Sequence, residues 1–193
     1  MEQLRCFIAI GLPDEVKAGF KDLQAQLKSG GQSSIKWVDP YSIHLTLKFL
    51  GGVDVDKIAP ITAAIEEATQ RISPFSLKVE GPGAFPNLRR VQVVWVGVSG
   101  ELDKLAHLQQ RLESSLAGLG FTPENRRFTP HLTLARVRDR VALDEREGLG
   151  ELIASTKFKP VHSFPVEAVS LMKSHLTREG AIYSRISLTR LAQ

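Results

Sequence analysis

Cysteine is almost absent from this chain of 193 residues, since Cys6 is the only one. A single thiol forms no internal disulfide and supplies no cysteine cluster for zinc or iron–sulfur binding. No apolar run in the sequence approaches the length of a membrane-spanning helix. Residues 1–13 have the pattern of a strand and not that of a signal peptide. We therefore expect a cytoplasmic protein without a membrane segment.

A strong charge of one sign is also missing. The 25 lysine and arginine residues slightly exceed the 21 aspartate and glutamate residues, which gives a formal net charge of +4. This balance favours anionic partners only weakly. Hydrophobic residues make up 42% of the chain and charged residues 24%, as in ordinary globular proteins. The length suffices for one sizeable domain or two small lobes.

The tetrapeptide HLTL occurs twice, at 44–47 and 131–134, each time in a stretch typical of a strand. On a strand, residues two apart point to the same face. His44 therefore projects with Thr46, and His131 projects with Thr133, while the leucines between them face an apolar core. Each copy presents one imidazole and one hydroxyl on a face that the core does not use.

Each half of the chain shows the same order of predicted elements: strand, helix, motif strand, helix, strand. This self-similarity predicts an internal duplication, with about 1–80 and 90–190 as related halves of one bilobal domain over 1–193. The predicted fold class is α+β, with two pseudo-symmetric lobes of antiparallel-rich sheet, helices on the outer faces and a site in the central cleft. The sequence does not decide whether the lobes exchange their terminal strands.

Local signals add finer expectations. Asp54 or Asp56 is predicted to cap the second helix, and residues 81–87 are predicted to form turns. A helix over 142–153 is predicted despite Gly148 and Gly150, which interrupt its pattern.

Two imidazoles that face each other across a cleft suit phosphoryl chemistry. One takes a proton from the attacking water while the other gives a proton to the leaving oxygen, and the histidine pKa near neutrality suits both roles. The threonine hydroxyls can donate hydrogen bonds to phosphate oxygens. A single His-x-Thr pair is more commonly structural, so the duplication is what favours a site. A third copy at 175–177 precedes turn-forming residues and is interpreted as a hairpin tip.

These residues resemble the 2H phosphoesterase superfamily, and more closely its bacterial and archaeal RNA 2′,3′-cyclic phosphodiesterases, the LigT or 2′-5′ RNA ligase family. The matching segments are RCFIAI at 5–10, HLTLKFLG at 44–51, RFTPHLTLAR at 127–136 and the hairpin at 171–183.

The resemblance implies hydrolysis of RNA or nucleoside 2′,3′-cyclic phosphates to 2′-phosphomonoesters, without a metal or other cofactor. It implies that His44 is the proton donor to the 3′ oxygen and that His131 is the proton acceptor that activates water. It also implies that Thr46 and Thr133 hold the phosphate.

Arg136 matches the basic residue that follows the second motif in this family, and a guanidinium suits phosphate. Strict alternation puts Arg136 on the face opposite His131, so it reaches the site only if the strand ends or bulges. By the same counting, Lys48 shares a face with His44 and Thr46, and it ranks below Arg136 as a phosphate ligand.

Side chains that bind the rest of the substrate are harder to predict. Phe49 alternates to the core side of its strand, and Trp95 lies in the most apolar strand, so both are expected in the core. Trp37 is the better candidate for an exposed ring that stacks on a base, although a structural role is favoured for it. Two arginine pairs, at 89–90 and 126–127, are candidates for the cleft rim and for contact with RNA phosphates.

Three other readings stay open. The same groups can run the reverse reaction and join RNA ends, such as tRNA halves, through a 2′-5′ linkage. Alternatively, the chain is a non-catalytic module that grips an RNA end, which turnover would exclude. A metallohydrolase is a weaker reading, because two histidines without nearby carboxylates make a poor metal site. The expected partners are RNA 3′ ends or nucleoside 2′,3′-cyclic phosphates, and the expected state is a monomer.

Overall fold

The computed structural model describes residues 3–28, 35–158, 163–177 and 180–192. The strands are β1 (Gln3–Ile10), β2 (Ile35–Trp37), β3 (Leu45–Asp54), β4 (Phe75–Phe85), β5 (Val93–Gly100), β6 (His131–Val137), β7 (Ser163–Val166), β8 (Ala168–Leu176) and β9 (Ala181–Arg190). The helices are α1 (Asp14–Lys28), α2 (Ile58–Thr69), α3 (Leu102–Ala117) and α4 (Leu143–Ser155), with 3-10 turns at Pro40–Ser42 and Val55–Lys57.

Within these ranges the strands form one nine-stranded sheet in the order β7-β4-β5-β6-β3-β1-β8-β9, with β2 added beside β6. The pairings are antiparallel. The first lobe consists of β1, β3, β8 and β9, and the second lobe consists of β4, β5, β6 and β7. The lobes meet where β3 pairs with β6, through Leu45 and Leu132. The predicted α+β fold with two lobes of antiparallel sheet is confirmed.

The lobes exchange strands, which the sequence left open. Strand β4 closes the first half of the chain but pairs with β5 in the second lobe. Strand β8 belongs to the second half but pairs with β1 in the first lobe. Each lobe is therefore built from both halves of the chain, and the internal duplication itself stays a prediction.

One face of the sheet packs against the helices. The apolar spacing in residues 16–27 predicts one buried stripe on α1, and that in residues 102–116 predicts another on α3. Helix α1 buries its predicted stripe, and α3 buries its leucines from Leu105 to Leu116, whereas Leu102 at its start is exposed. Both stripes belong to a single core cluster with the buried strand residues, and a fully buried Leu or Phe contributes about 2–3 kcal/mol. The opposite face of the sheet, where β3 meets β6, does not pack against helices, and it carries the side chains of the two HLTL motifs that are not in the core.

The structure differs from the sequence prediction at the start of α2 and at residues 81–87, and agrees with it at α4. Neither Asp54 nor Asp56 caps α2: Asp54 accepts a hydrogen bond from Gln3 instead, and Asp56 lies inside a 3-10 turn. The turn prediction for 81–87 is wrong up to Phe85, because pairing with β5 extends β4 through the glycines. Helix α4 does form, and Gly150 allows it to approach the backbone closely, since a Cβ there would collide with the Leu88 carbonyl.

Two segments with sequence predictions lie outside the described residues: the glycines at 30–31, which the sequence predicts to end α1, and the turn-forming residues at 178–179. No helix in the described ranges is both long enough and apolar enough to cross a bilayer.

Candidate active site

The two motif strands meet at their matching leucines. Because β3 and β6 run antiparallel with Leu45 opposite Leu132, Thr46 lies on the same side of this pair as His131. Thr133 lies correspondingly on the side of His44. Both leucines are fully buried, whereas the two histidines and two threonines are partly exposed on the other face. The structure thus brings the four predicted side chains together on one face of the β3–β6 pair.

Both imidazoles are held by the same hydrogen bond. Nδ1 of His44 lies 2.8 Å from the Ser42 carbonyl oxygen, and Nδ1 of His131 lies 2.7 Å from that of Thr129. A carbonyl oxygen only accepts, so in each ring Nδ1 carries the hydrogen and donates it. Nε2 is therefore left in both rings as the atom available to accept or donate a proton.

The two histidines differ in their surroundings. His44 stacks on Phe7 at 4.7 Å between ring centroids, and the edge of Tyr183 meets it at 5.0 Å. His131 has one such neighbour, Phe85, at 4.9 Å. Burial lowers the pKa of His44; the bond to Ser42 opposes this shift, and the positive charge of Lys17 adds to it.

The same irregularity follows the threonine of each motif. Between β1 and β3 the register passes from Thr46 to Lys48 without a partner for Leu47. Between β5 and β6 it passes from Thr133 to Ala135 without a partner for Leu134. Each motif strand therefore carries a bulge at its second leucine, and a bulge reverses the alternation of faces beyond it.

The bulges determine which later residues share the histidine face. Arg136 is in register with Val93, which lies two residues from Trp95 and so on the face of Thr133. The condition set for Arg136, a bulge in its strand, is thus met, and its side chain is exposed. Phe49 holds the equivalent place in the first motif, in register with Phe7.

Two expectations based on strict alternation are wrong for this reason. Phe49 is not a core residue: it is 68% exposed, and its ring centroid lies 6.1 Å from that of Phe7. Lys48 does not accompany His44, because it is buried and pairs with Glu113 of α3 at 2.5 Å. Its ammonium also donates to the Thr122 carbonyl at 3.0 Å, so it is committed away from the site.

The tryptophans also occupy definite places. Trp95 is not fully in the core: it is partly exposed on the face of Thr133, and its ring covers Gly83. Trp37 packs against the core with the Lys28 ammonium 5.3 Å from its ring centre, which fits the structural role favoured for it.

The remaining candidates lie at the surface. The arginine pairs at 89–90 and 126–127 are exposed, and so is His175. His175 belongs to β8 and pairs with Ile182, so the third HLT copy spans the end of a strand. In the described ranges, no group of three or more His, Cys, Asp or Glu side chains is placed to hold a metal ion.

Sequence reasoning missed the aromatic residues that enclose the imidazoles, namely Phe7, Tyr183 and Phe85. They come from strands far apart in the chain, and their positions follow from cross-strand register and not from local pattern. The available signal was the alternation within residues 5–10, which places Phe7 on the face opposite the core residues Cys6 and Ile8.

Comparison with known proteins gives a consistent result. A family model described as the 2′-5′ RNA ligase superfamily matches residues 8–178. A protein of Methanothermobacter thermautotrophicus, named RNA 2′,3′-cyclic phosphodiesterase, is 35% identical over 189 residues, which covers 98% of this chain and 100% of that protein. A protein of the same name from Methanocaldococcus jannaschii is 33% identical over 95% of this chain and 98% of its own length.

Solved structures are similar over the whole length. Escherichia coli LigT, solved in complex with 3′-AMP, superimposes with a TM-score of 0.76 at 27% identity and covers 100% of both chains. The Thermus thermophilus protein TT0787 gives the same TM-score and identity and covers 97% of this chain and 98% of its own.

Proposed function

This chain belongs to the 2′-5′ RNA ligase superfamily, and we propose that it hydrolyses RNA or nucleoside 2′,3′-cyclic phosphates to 2′-phosphomonoesters. The observation that carries the proposal is the pair of imidazoles with Nε2 free on one face, each beside a threonine hydroxyl. The names of the relatives, RNA 2′,3′-cyclic phosphodiesterase, support the same substrate class.

The proposed reaction is an in-line displacement at phosphorus. Nε2 of His131 takes a proton from water while the water oxygen forms a bond to phosphorus. The bond between phosphorus and the 3′ oxygen breaks, and Nε2 of His44 gives its proton to that oxygen. Thr46 and Thr133 donate hydrogen bonds to the non-bridging oxygens, where negative charge accumulates. Each proton transfer contributes roughly 100- to 10,000-fold to the rate.

The assignment of His44 as the donor follows the resemblance to the family. Burial lowers the pKa of His44, so its imidazolium is a stronger acid than usual but is less populated in the free protein. An anionic phosphate bound in the site favours the charged form of the ring and so loads the donor before the reaction.

The bulges place Phe49 and Arg136 on the face of the histidines, so the two sides of the site offer different groups to a substrate. Arg136 offers a guanidinium to the phosphate on the side of the second motif. Phe49 offers an exposed ring on the side of the first, suited to stacking of the terminal base. A substrate held at both points exposes only one of its two ester oxygens to His44.

The test is turnover of each nucleoside 2′,3′-cyclic phosphate in excess chelator, with the 2′- and 3′-products resolved. The parent protein should form the 2′-monophosphate, and His44→Ala and His131→Ala should each abolish the reaction while remaining folded by circular dichroism. A 3′-product would reverse the leaving-group assignment. Absence of turnover on cyclic mononucleotides and on RNA carrying the cyclic end would reject the function.

Two further expectations belong to this proposal. We infer that the protein acts as a monomer, because the proposed catalytic side chains all come from one chain. We also infer a cytoplasmic location, where RNA fragments with cyclic ends would be its substrates. An RNA with a free 5′-hydroxyl, added to the same assay, reports joining as a side activity.

A further inference from the structure

A line of exposed cations begins at Arg136 and leads away from the histidines. Arg136 is in register with Lys36 of β2, so the two side chains lie next to each other on one face. Both are exposed. Strand β6 ends one residue later at Val137, whose amide donates to the Gln92 carbonyl at 2.8 Å. The chain then enters the turn 138–141, which carries two more arginines.

Arg146 of α4 clamps this turn to the segment that precedes β5. Its guanidinium donates to the Val91 carbonyl at 2.8 Å and, on the turn, to the carbonyls of Arg138 at 3.0 Å, Asp139 at 3.2 Å and Val141 at 3.1 Å. Fixed backbone carbonyls, and no carboxylate, thus satisfy this cation among the described contacts. The clamp brings residues 138–140 beside Arg90, the residue that precedes Val91.

The basic strip is the set of exposed side chains gathered in this way, namely Lys36, Arg90, Arg136, Arg138 and Arg140. Within it, Asp139 is the one acidic residue of the turn. Arg89 is left out of the strip because it lies beside Glu147 and Glu151 of α4. The described residues form ion pairs at Lys17–Asp14, Lys48–Glu113 and Lys104–Glu101, and these pairs include no cation of the basic strip.

Such a strip is unfavourable for the free protein. Like charges held side by side repel one another. Among the described residues no carboxylate forms an ion pair with these cations, and Asp139 is the single acidic residue between Arg138 and Arg140. An anionic partner removes this repulsion, and guanidinium groups suit phosphodiesters in particular. The strip is continuous with the site through Arg136, which points to a partner that reaches both.

We propose that the basic strip holds the backbone phosphates of the RNA nucleotides that precede the terminal cyclic phosphate; this rests on the proposed function. From Thr133 to Val137, the last residue of β6, the strand advances roughly 13 Å at ~3.3 Å per residue, and the turn that carries Arg138 follows; this length accommodates a few nucleotides. The contacts are to phosphates, so the strip adds affinity for RNA of any sequence.

Another exposed arginine pair lies at the other end of the second motif strand. Arg126 and Arg127 precede β6, and they are the alternative path for an RNA strand that leaves the site. Their segment carries Glu124, whose carboxylate accepts a hydrogen bond from the Arg126 amide. An RNA strand is therefore expected to leave the site over the basic strip and not over this pair.

The experiment compares kcat/KM on a nucleoside 2′,3′-cyclic phosphate and on an oligoribonucleotide of about five nucleotides with the same end. The parent should prefer the oligonucleotide, and the R138Q/R140Q variant should lose roughly 10-fold on it while changing less than about 2-fold on the mononucleotide. The slope of log(kcat/KM) against log salt should fall by about 1.4, since each phosphate contact to a single strand contributes about 0.7. The R126Q/R127Q variant should keep the oligonucleotide preference.

A second measurement is independent of turnover. Fluorescence anisotropy with a labelled oligonucleotide ending in a 2′-phosphate should show weaker binding to R138Q/R140Q than to R126Q/R127Q. Equal binding, or a loss confined to R126Q/R127Q, would overturn the basic strip even if the enzyme is active. Failure of the parent to turn over any cyclic phosphate would reject the proposed function, and the binding comparison would still decide the strip.

Discussion

Replacing Lys48 by methionine should destabilise the protein strongly, because its ammonium is buried against one carboxylate. Lys48 Nζ lies 2.5 Å from Glu113 Oε2, and the two side chains are 5% and 13% exposed. Glu113 also accepts from the Gln109 side chain and from the Glu124 amide. Lys48→Met removes the charge that compensates this carboxylate, and breaking one partner of a buried pair costs about 3–5 kcal/mol.

Urea and thermal unfolding measure this loss. For a chain of this length, 1 kcal/mol corresponds to a midpoint shift of about 2–4 °C, so a loss of about 3–5 kcal/mol should lower the midpoint of the variant by about 6–20 °C. Lys104→Met is the matched control, since Lys104 and Glu101 form a pair of 2.8 Å whose side chains are 43% and 45% exposed. This control should change the midpoint far less, because water already solvates both charges.

The double variant K48M/E113L separates loss of a pair from loss of packing. With both charges gone, no carboxylate is left buried alone, and the double variant should recover at least half of the stability that Lys48→Met loses. If Lys48→Met and Lys104→Met lower the midpoint equally, or if the double variant is no better than the single one, the charge argument is wrong.

Three other predictions follow from the site and its supports. His44 should titrate below the ordinary histidine value in an NMR pH series, and bound 2′-AMP should raise its midpoint; since the proposed donor must be protonated, kcat should fall as pH rises through the midpoint of the complex. Phe49→Ala should raise KM for a cyclic nucleotide roughly 10-fold, because stacking contributes about 1–3 kcal/mol per base, whereas binding of inorganic phosphate should not change. Gly150→Ala should lower the free energy of unfolding by about 1–3 kcal/mol through collision with the Leu88 carbonyl, whereas Gly148→Ala, with open space around it, should leave it unchanged or raise it slightly.

Local pattern was sufficient to predict the two motif strands and the fold class. Strict alternation around Leu45 and Leu132 placed the histidines and threonines on one face, as the structure has them. The helical stripes of α1 and α3 followed from the same kind of reasoning, because burial of one face imposes the period.

The site predictions that failed are those that assumed a regular register between strands. A bulge inserts one residue and exchanges the faces beyond it, so Phe49 moved from a predicted core position to the site, and Lys48 moved away from it. No local composition marks Leu47 as the extra residue, since its side chain is buried in a regular strand and in a bulged one alike. The exchange of β4 and β8 between lobes was hidden for a related reason. Strand β4 pairs with the next strand along the chain, whereas β8 pairs with β1 from the other end of the chain, and neither choice of partner leaves a trace in periodicity.

The same exchange has a consequence for synthesis of the chain. Strand β1 needs β8 as its second neighbour, but β8 begins at Ala168 and is therefore synthesised long after β1. Until then β1 and β3 form a sheet with one edge of unpaired amides and carbonyls beside apolar residues, an arrangement that invites pairing with other chains. The nascent protein therefore exposes this edge until β8 is made, and a ribosome-associated chaperone that covers the edge is expected to increase the yield of folded protein.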